Sequence, residues 1–444
     1  MNSNQYILGN KTLSSNLSTS MAVIVISMAV SVMVLIIAII FCLGLRIRRK
    51  YQQPLKDSET CPMNSQDIGL GSSSNTSTKV RQRTFSRLHR RLKRGENSIA
   101  LLRQNENIKK EVTKLSYNAT REVTKSVFEI GSEIGKGNFG EVYIGTILGL
   151  NIPVAIKSIN ANQSNEQGIE HVLDEIKIMS HVDPHLNLVS MVGACTSDLK
   201  DLGQIWLLLE FCEFGDLKRY LKEHENEILS AKNEYMNSRC LIQWSYDIAN
   251  GMKYLAQNHI MHGDLAARNI LMSKCPLGCD NEWPLAKIAD FGLSKRFYDN
   301  VKYSKESRLY VPWKWMALEY LVNDYFTLTS DVWSFGVLFW ELLSFGRTPY
   351  GQQDYDELLD KLKTGYRLSF PDEAKKILNW PARSLFQSLS KMCFKPDPLD
   401  RASFSEVLIR IEKELTTQEI SHYNEVKEKY HSTLSSSYFR LSVR

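Results

Sequence analysis

The chain has 444 residues and a formal net charge of +6, and its composition is 43% hydrophobic and 23% charged. This length is enough for two or three domains of about 150 residues each, and the apolar content allows a substantial core. None of the eight cysteines precedes Cys42, so we do not expect a small secreted fold held by a disulfide framework.

The first segment with a clear physical meaning is an uncharged apolar run over residues 21–45. At about 1.5 Å per residue it would span roughly 37 Å as a helix, which is enough to cross a bilayer. Four basic side chains lie within residues 46–50, and positive charge predicts that this end lies in the cytosol. A cleaved signal peptide is the alternative, but the run is too long and no basic group precedes it.

Residues 1–20 would then lie outside the cell, at a plasma membrane that the chain crosses once. They contain two Asn-x-Ser/Thr triplets, which make Asn10 and Asn16 candidate glycosylation sites. A segment this short without cysteines cannot fold a ligand-binding domain unaided. Either activation needs no globular ectodomain, or the chain is a truncated form of a longer one.

Residues 46–127 form a basic juxtamembrane segment, with nineteen Lys or Arg against seven Asp or Glu. The rest of the chain is therefore net acidic. Residues 65–78 are rich in serine and glycine, lack an apolar period and are predicted to be disordered. Residues 79–94 place three apolar side chains at helical spacing among basic ones. This run either lies on the anionic inner leaflet or is a solvated linker.

A glycine pattern, Gly135-x-Gly137-x-x-Gly140-x-Val142, follows the strand-like residues 128–130. Glycines let a backbone come close over phosphates, where a Cβ would clash. Taken alone, the pattern also fits an ordinary glycine-rich hairpin.

Lys157 ends an apolar strand-like run, residues 154–156, shortly after these glycines. A lysine on such a strand needs an acidic partner. The next helix-like segment offers three carboxylates, those of Glu170, Asp174 and Glu175. The residues alone leave the choice among them open.

A polar loop, residues 262–269, reads His-Gly-Asp-Leu-Ala-Ala-Arg-Asn between an amphipathic segment and a short apolar run. Asp264 can accept a proton from an attacking hydroxyl, and Asn269 can hold a metal ion by its amide oxygen. A second acidic site, Asp290, follows residues 286–289, which are apolar except for Lys287. One carboxylate and one amide suit Mg²⁺, which takes its other oxygens from water and phosphate.

In this order, the motifs resemble those of protein kinases, with Asp-Phe-Gly at residues 290–292. The resemblance covers a domain at residues 128–415. It implies a bilobal α+β fold, with a small β-rich lobe and a larger helical lobe, joined to the single transmembrane helix. The implied cofactors are ATP and Mg²⁺, with Mn²⁺ as an alternative ion. Glu175 stands in a family-like Glu-x-Lys-Ile-Met context and is the implied partner of Lys157.

The resemblance also implies a role for each candidate residue. Asp264 would act as the base or orient the hydroxyl, and Arg268 would offset charge on the transferred group. Asn269 and Asp290 would hold the metal ion. Residues 210–215 resemble the hinge between the lobes, which offers backbone groups to an adenine. The implied ATP site comprises Ile134, Gly135, Gly137, Gly140, Val142, Ala155, Lys157, Leu209, Glu210, Cys212 and Leu271.

The later part of the domain resembles tyrosine kinases. Arg268 lies four residues after the implied base, whereas serine/threonine kinases usually have a lysine two residues after it. Residues 312–317 resemble a platform that accommodates a phenol. Tyr303 lies at the place of an activation-loop tyrosine, and Arg401 would pair with Glu319.

The domain resembles receptor kinases of the platelet-derived growth factor type, with a shortened insert over about 222–240. The whole layout is similar to nematode receptor-like kinases with very short ectodomains. Tyr235 is followed two residues later by an asparagine, so its phosphorylated form would fit an arginine-lined adaptor pocket. An unmodified surface tyrosine is the alternative. Weaker candidates lie in the predicted tail, residues 416–444, namely Tyr423, Tyr430 and Tyr438.

Two residues depart from the family pattern, since Gly263 replaces an arginine and Leu318 replaces the proline of Ala-Pro-Glu. Glycine supplies no cation to contact a phosphate on the activation loop. Phosphorylation of Tyr303 should therefore order this loop less here than in relatives with arginine. Either Lys302 or Arg308 takes over that contact, or the loop is partly active without modification.

These observations predict a membrane-anchored receptor-like tyrosine kinase that phosphorylates itself and other proteins in signalling. Its expected partners are protein tyrosine substrates, phosphotyrosine-binding adaptors and a second copy in a homodimer, and we expect no nucleic acid. The alternative is a catalytically silent scaffold that uses the kinase fold only to bind partners. The complete set of phosphate and metal residues counts against that alternative.

Overall fold

The structure, a computed structural model, describes residues 118–137, 140–160, 166–197, 199, 203–230, 234–277, 284–290, 311–372, 374 and 380–437. All of these residues belong to one compact unit. No helix within these ranges is long and apolar enough to cross a membrane. The predictions that lie outside them concern the span at 21–45, the juxtamembrane segment up to residue 117, and residues Asn10, Asn16, Phe291, Gly292, Lys302, Tyr303, Arg308 and Tyr438.

The first lobe is built on a sheet. Its strands are β1 (Phe128–Gly137), β2 (Gly140–Ile147), β3 (Ile152–Asn160), β4 (Met191–Cys195) and β5 (Gln204–Glu210). They pair antiparallel in the order β1-β2-β3-β5-β4. Because successive side chains point to opposite faces, Val154 and Ile156 belong to one buried cluster. Ile159 and Leu207 pack on the other face with Ile176 of helix α1 (Glu166–Met179).

The second lobe is mainly helical. Its helices are α2 (Leu217–Glu223), α3 (Glu225–Ser230), α4 (Glu234–Gln257), α5 (Leu318–Asn323), α6 (Leu328–Leu343), α7 (Tyr355–Lys363), α8 (Trp380–Cys393), α9 (Phe404–Glu412) and α10 (Thr417–Ser437). A two-stranded sheet, β6 (Ile270–Ser273) and β7 (Leu285–Ile288), carries the polar loops. The two lobes agree with the predicted bilobal α+β fold.

Helix α6 is the centre of the helical lobe. It is mainly apolar and almost entirely buried, as expected for a helix surrounded by other elements. Its first turn is fixed by a capping box, in which Thr327 and Ser330 exchange side-chain and backbone hydrogen bonds. This rigid helix supports the loops described below.

The predicted tail, residues 416–444, contains a helix that packs against the rest of the domain. Residues 417–437 form helix α10, which we call the tail helix, and its side chains Tyr423, Val426 and Tyr430 are buried against the domain. Their spacing places them on one face of the helix. The folded unit therefore extends past residue 415, and the tail helix is part of it.

The predicted insert at 222–240 is also mostly helical. It spans the end of α2, all of α3 and the start of α4. Arg239 and Cys240, at its C-terminal end, are buried in the helical lobe. Tyr235 lies in the first turn of α4.

Candidate functional site

The glycine pattern forms the hairpin between β1 and β2, where Gly135 faces Val142 and Gly137 faces Gly140. Gly140 has a φ of +156°, and a Cβ there would overlap the carbonyl oxygen of Ser158, so only glycine fits. A Cβ at Gly135 would meet no atom within 4 Å. The hairpin thus has room to lay its backbone over a phosphate chain.

Lys157 on β3 reaches across to helix α1. Its Nζ donates to Glu175 Oε2 at 2.6 Å, and both side chains are buried. The same Nζ lies 3.9 Å from Asp290 Oδ1. Burial disfavours the charge on Lys157, but the two carboxylates outweigh it and raise the pKa of this lysine. Glu175 is therefore the carboxylate that α1 brings to Lys157.

Asp264 is held by the two polar residues that follow it in the loop. Asn269 Nδ2 donates to Asp264 Oδ2 at 2.7 Å, and the Arg268 guanidinium pairs with Asp264 Oδ1. Burial raises the pKa of Asp264 to about 6, although Arg268 and Asn269 act in the opposite direction. A carboxylate with this pKa is ionised at neutral pH and still basic enough to accept a proton.

The two implied metal ligands lie on neighbouring loops. The Ala289 N–H donates to the Asn269 carbonyl at 2.9 Å, which joins the loops next to Asp290. Asp290 has a φ of +62°, a left-handed conformation that is rare for residues other than glycine and that clusters at functional sites. Asn269 uses its amide nitrogen on Asp264, so its side-chain oxygen can face a cation. One carboxylate and one amide oxygen fit Mg²⁺.

The loop that carries Asp264 is anchored by Asp331 of α6. The Asp331 carboxylate accepts from the His262 N–H at 2.8 Å and from the Gly263 N–H at 2.9 Å. Burial raises the pKa of Asp331 to about 7, against the lowering effect of these two bonds. Gly263 has a φ of +80°. It therefore adopts a conformation that suits glycine.

Replacing Gly263 by alanine should lower the free energy of unfolding by about 1–2 kcal/mol, because a Cβ is disfavoured in the left-handed region. Gly263→Asn is the matched control, since asparagine tolerates this region better, and it should cost less. Urea unfolding of the three proteins measures both values. An alanine variant as stable as the parent would contradict the assigned conformation.

A second carboxylate of α6, Glu341, joins the polar loop to the segment at 312–317. Its Oε2 accepts from the Ala267 N–H at 3.0 Å and from Trp315 Nε1 at 2.8 Å. The Arg268 guanidinium carbon lies 4.5 Å from the Trp315 ring centroid, within the range of a cation–π contact. Sequence reasoning did not identify Glu341, because a single glutamate in an apolar helix belongs to no motif.

The hinge residues lie at the end of β5. Leu209 faces Ala155 across β3 and β5, and it packs with Leu271 beside the buried Cys212. Ile134 is half exposed at the hairpin. These apolar side chains can border a flat ring. The Glu210 side chain is different, because its carboxylate turns away to pair with Lys287 at 3.0 Å. Only the Glu210 backbone can serve the predicted adenine site.

The remaining predictions concern an ion pair and the tyrosines of the tail. Arg401 and Glu319 form a buried bidentate pair with distances of 2.8 and 2.9 Å, which confirms that prediction. The two described tail candidates, Tyr423 and Tyr430, are each only 5% exposed. The expectation that they are accessible to an adaptor is therefore wrong for the docked tail helix.

Two comparisons with known proteins bear on this site. A family model described as protein tyrosine and serine/threonine kinase matches residues 128–411. The chain is also similar to vascular endothelial growth factor receptor 2 of Mus musculus, with 29% identity over 380 residues. That stretch covers 71% of this chain and 27% of the mouse receptor, so the chain spans about a quarter of the length of that relative.

Proposed function

Because this chain belongs to the protein tyrosine and serine/threonine kinase family, we propose that it transfers the γ-phosphoryl group of ATP to tyrosine hydroxyls of itself and of other proteins. One observation carries the proposal. The pair formed by Lys157 and Glu175 lies next to Asp290, and Asp290 lies next to the loop where Asn269 holds Asp264. A cation that can bind phosphate and a proton acceptor therefore both lie close to the Asp290 carboxylate.

In the proposed reaction the phenol oxygen attacks the γ-phosphorus, the bond between γ-phosphorus and the β–γ bridging oxygen breaks, and ADP leaves. The phenolic proton passes to Asp264, which Asn269 and Arg268 hold in place. Lys157, fixed by Glu175, offsets charge on the phosphates. Asn269 and Asp290 would hold Mg²⁺, which neutralises phosphate charge when it is bound.

Preference for tyrosine is part of the proposal. Its support is the Arg268 side chain, which contacts both Asp264 and the ring of Trp315. Glu341 accepts hydrogen bonds from both Trp315 and Ala267, so the platform at 312–317 is held against the polar loop. A tyrosine side chain places its hydroxyl further from the backbone than serine or threonine does. A fixed platform therefore determines which of these hydroxyls reaches the polar loop.

The test is a phosphotransfer assay on the full chain, purified in detergent, with Mg²⁺-ATP and a mixed pool of tyrosine and serine peptides. We expect phosphate on tyrosine. Phosphate only on serine would overturn the tyrosine assignment and leave the kinase assignment standing.

A single-pass location in the plasma membrane, with the N-terminus outside, is also proposed. The apolar run at 21–45 and the basic residues after it support this, as does the similarity to the mouse vascular endothelial growth factor receptor 2. A loss of apparent mass after glycosidase treatment, absent in an Asn10→Gln/Asn16→Gln variant, would support the location of the N-terminus outside the cell.

We also propose that the chain is a receptor kinase related to the platelet-derived growth factor type. It would form a homodimer, and an adaptor would bind phosphorylated Tyr235.

The pH dependence should report the raised pKa of Asp264. The ionised form accepts the proton, so kcat/KM should fall about tenfold per pH unit below pH 6 and level off above it. Thermal unfolding measured at each pH serves as the control for loss of fold. A profile that stays flat from pH 5 to pH 8 would contradict the role of Asp264 as base.

A further inference from the structure

The tail helix places Tyr430 against the side chain of the hinge residue Glu210. The Tyr430 hydroxyl lies 2.8 Å from Ser190 Oγ and donates to Glu210 Oε2 at 3.3 Å. Lys287 Nζ lies 4.2 Å from the Tyr430 ring centroid and 3.0 Å from Glu210 Oε1. We call Ser190, Glu210, Lys287 and Tyr430 the hinge cluster.

The hinge cluster contains a charged pair that is largely withdrawn from water. The side chain of Lys287 is 1% exposed and that of Glu210 is 13% exposed. Such a pair depends on further hydrogen bonds to offset the loss of hydration. Lys287 also donates to the Leu186 carbonyl at 2.7 Å, and Glu210 accepts from the Ser190 N–H at 3.2 Å. Tyr430 adds a donor to Glu210 and a ring face to Lys287.

The same helix is fastened a second time, two turns earlier. The Tyr423 hydroxyl donates to Asn187 Oδ1 at 2.6 Å, and its ring packs edge-on against Tyr246 of α4. Asn187 in turn donates to the Ala286 carbonyl at 3.2 Å. The tail helix therefore contacts the helical lobe through Tyr423 and the hinge through Tyr430.

We propose that the docked tail helix restrains the hinge, and that Tyr430 is the positioning residue through which it does so. The Glu210 N–H donates to the Ser190 carbonyl at 2.9 Å, so both backbone ends of this bond belong to residues that Tyr430 contacts. Loss of the Tyr430 hydroxyl loosens the Glu210 side chain and, with it, this bond. The proposal rests on the proposed function only in that the hinge would bind adenine.

Hydrogen exchange of the full chain in detergent tests this proposal without measuring phosphotransfer. In Tyr430→Phe, exchange in the peptide that contains Glu210 should be about tenfold faster than in the parent, since a hydrogen bond to a charged group is lost. The matched control is Asn424→Ala, at an exposed position of the same helix, where hinge exchange should change by less than about twofold.

The pattern of exchange decides the outcome. Faster exchange at Glu210 in Tyr430→Phe, but not in Asn424→Ala, supports the proposal. Faster exchange confined to the tail helix, with an unchanged hinge, would overturn it. A chain that ends at Thr416 should exchange at Glu210 at least as fast as Tyr430→Phe, and if that chain does not fold, the point variants still decide. Hydrogen exchange does not depend on phosphotransfer. The restraint of the hinge can therefore be refuted while the proposed function holds, and the proposed function can be refuted while the restraint holds.

Discussion

Asp264→Asn should transfer phosphate about a thousandfold more slowly than the parent, because an amide cannot accept the phenolic proton. Asparagine has the same shape but only one acceptor oxygen, so it keeps either the Asn269 or the Arg268 contact, and the fold should persist. Lys157→Met should be impaired to a similar degree, since it removes the cation that faces the phosphates. Initial rates of the full chain with Mg²⁺-ATP and a tyrosine peptide measure both effects.

The two variants need different controls. Lys157→Met leaves the buried Glu175 carboxylate without its lysine, which by itself costs stability. Thermal unfolding of Lys157→Met should therefore be compared with that of Lys157→Met/Glu175→Gln, in which the charge is also removed. Low activity in a folded double variant would assign the loss to the missing cation. Near-parental turnover in both Asp264→Asn and Lys157→Met would refute the enzyme proposal.

Arg401→Ala should lower the free energy of unfolding by about 3–5 kcal/mol, because it leaves the buried Glu319 carboxylate uncompensated. Arg401 also donates to the carbonyls of Thr329 and Lys395, which would lose a donor. Urea unfolding measures the change.

The matched control for this pair is Arg401→Met/Glu319→Leu. Removing both charges and keeping the apolar volume should restore much of the loss, since the desolvation cost disappears with the ions. A double variant no more stable than Arg401→Ala would contradict this. It would place the stabilisation in the carbonyl contacts of Arg401 instead.

The catalytic residues could be predicted from sequence because each belongs to a short motif. Asp264 and Asn269 lie on one loop, and their contact follows from a spacing of five residues. Choosing the partner of Lys157 needed more than composition, since three carboxylates lie on the same segment. The rotation of helix α1 against the sheet decides it, and it brings Glu175 to the lysine.

Residues that act through distant partners could not be predicted in this way. The motif places Glu210 in the hinge, but the direction of its side chain depends on Lys287 in β7 and on Tyr430 in the tail helix. The tail helix itself is polar apart from one face, formed by Tyr423, Val426 and Tyr430. Two tyrosines and a valine do not distinguish a buried face from an exposed one until the surface that they meet is known.

The most direct test of the kinase proposal follows the γ-phosphoryl group itself. The full chain is incubated with γ-labelled ATP and Mg²⁺, and ADP and labelled phosphotyrosine are counted in the same sample over time. We expect equal amounts of ADP and phosphotyrosine, and about a thousandfold lower rates of both in Asp264→Asn. If the parent binds nucleotide but the label stays in ATP, the chain is a scaffold and the proposed phosphotransfer is contradicted.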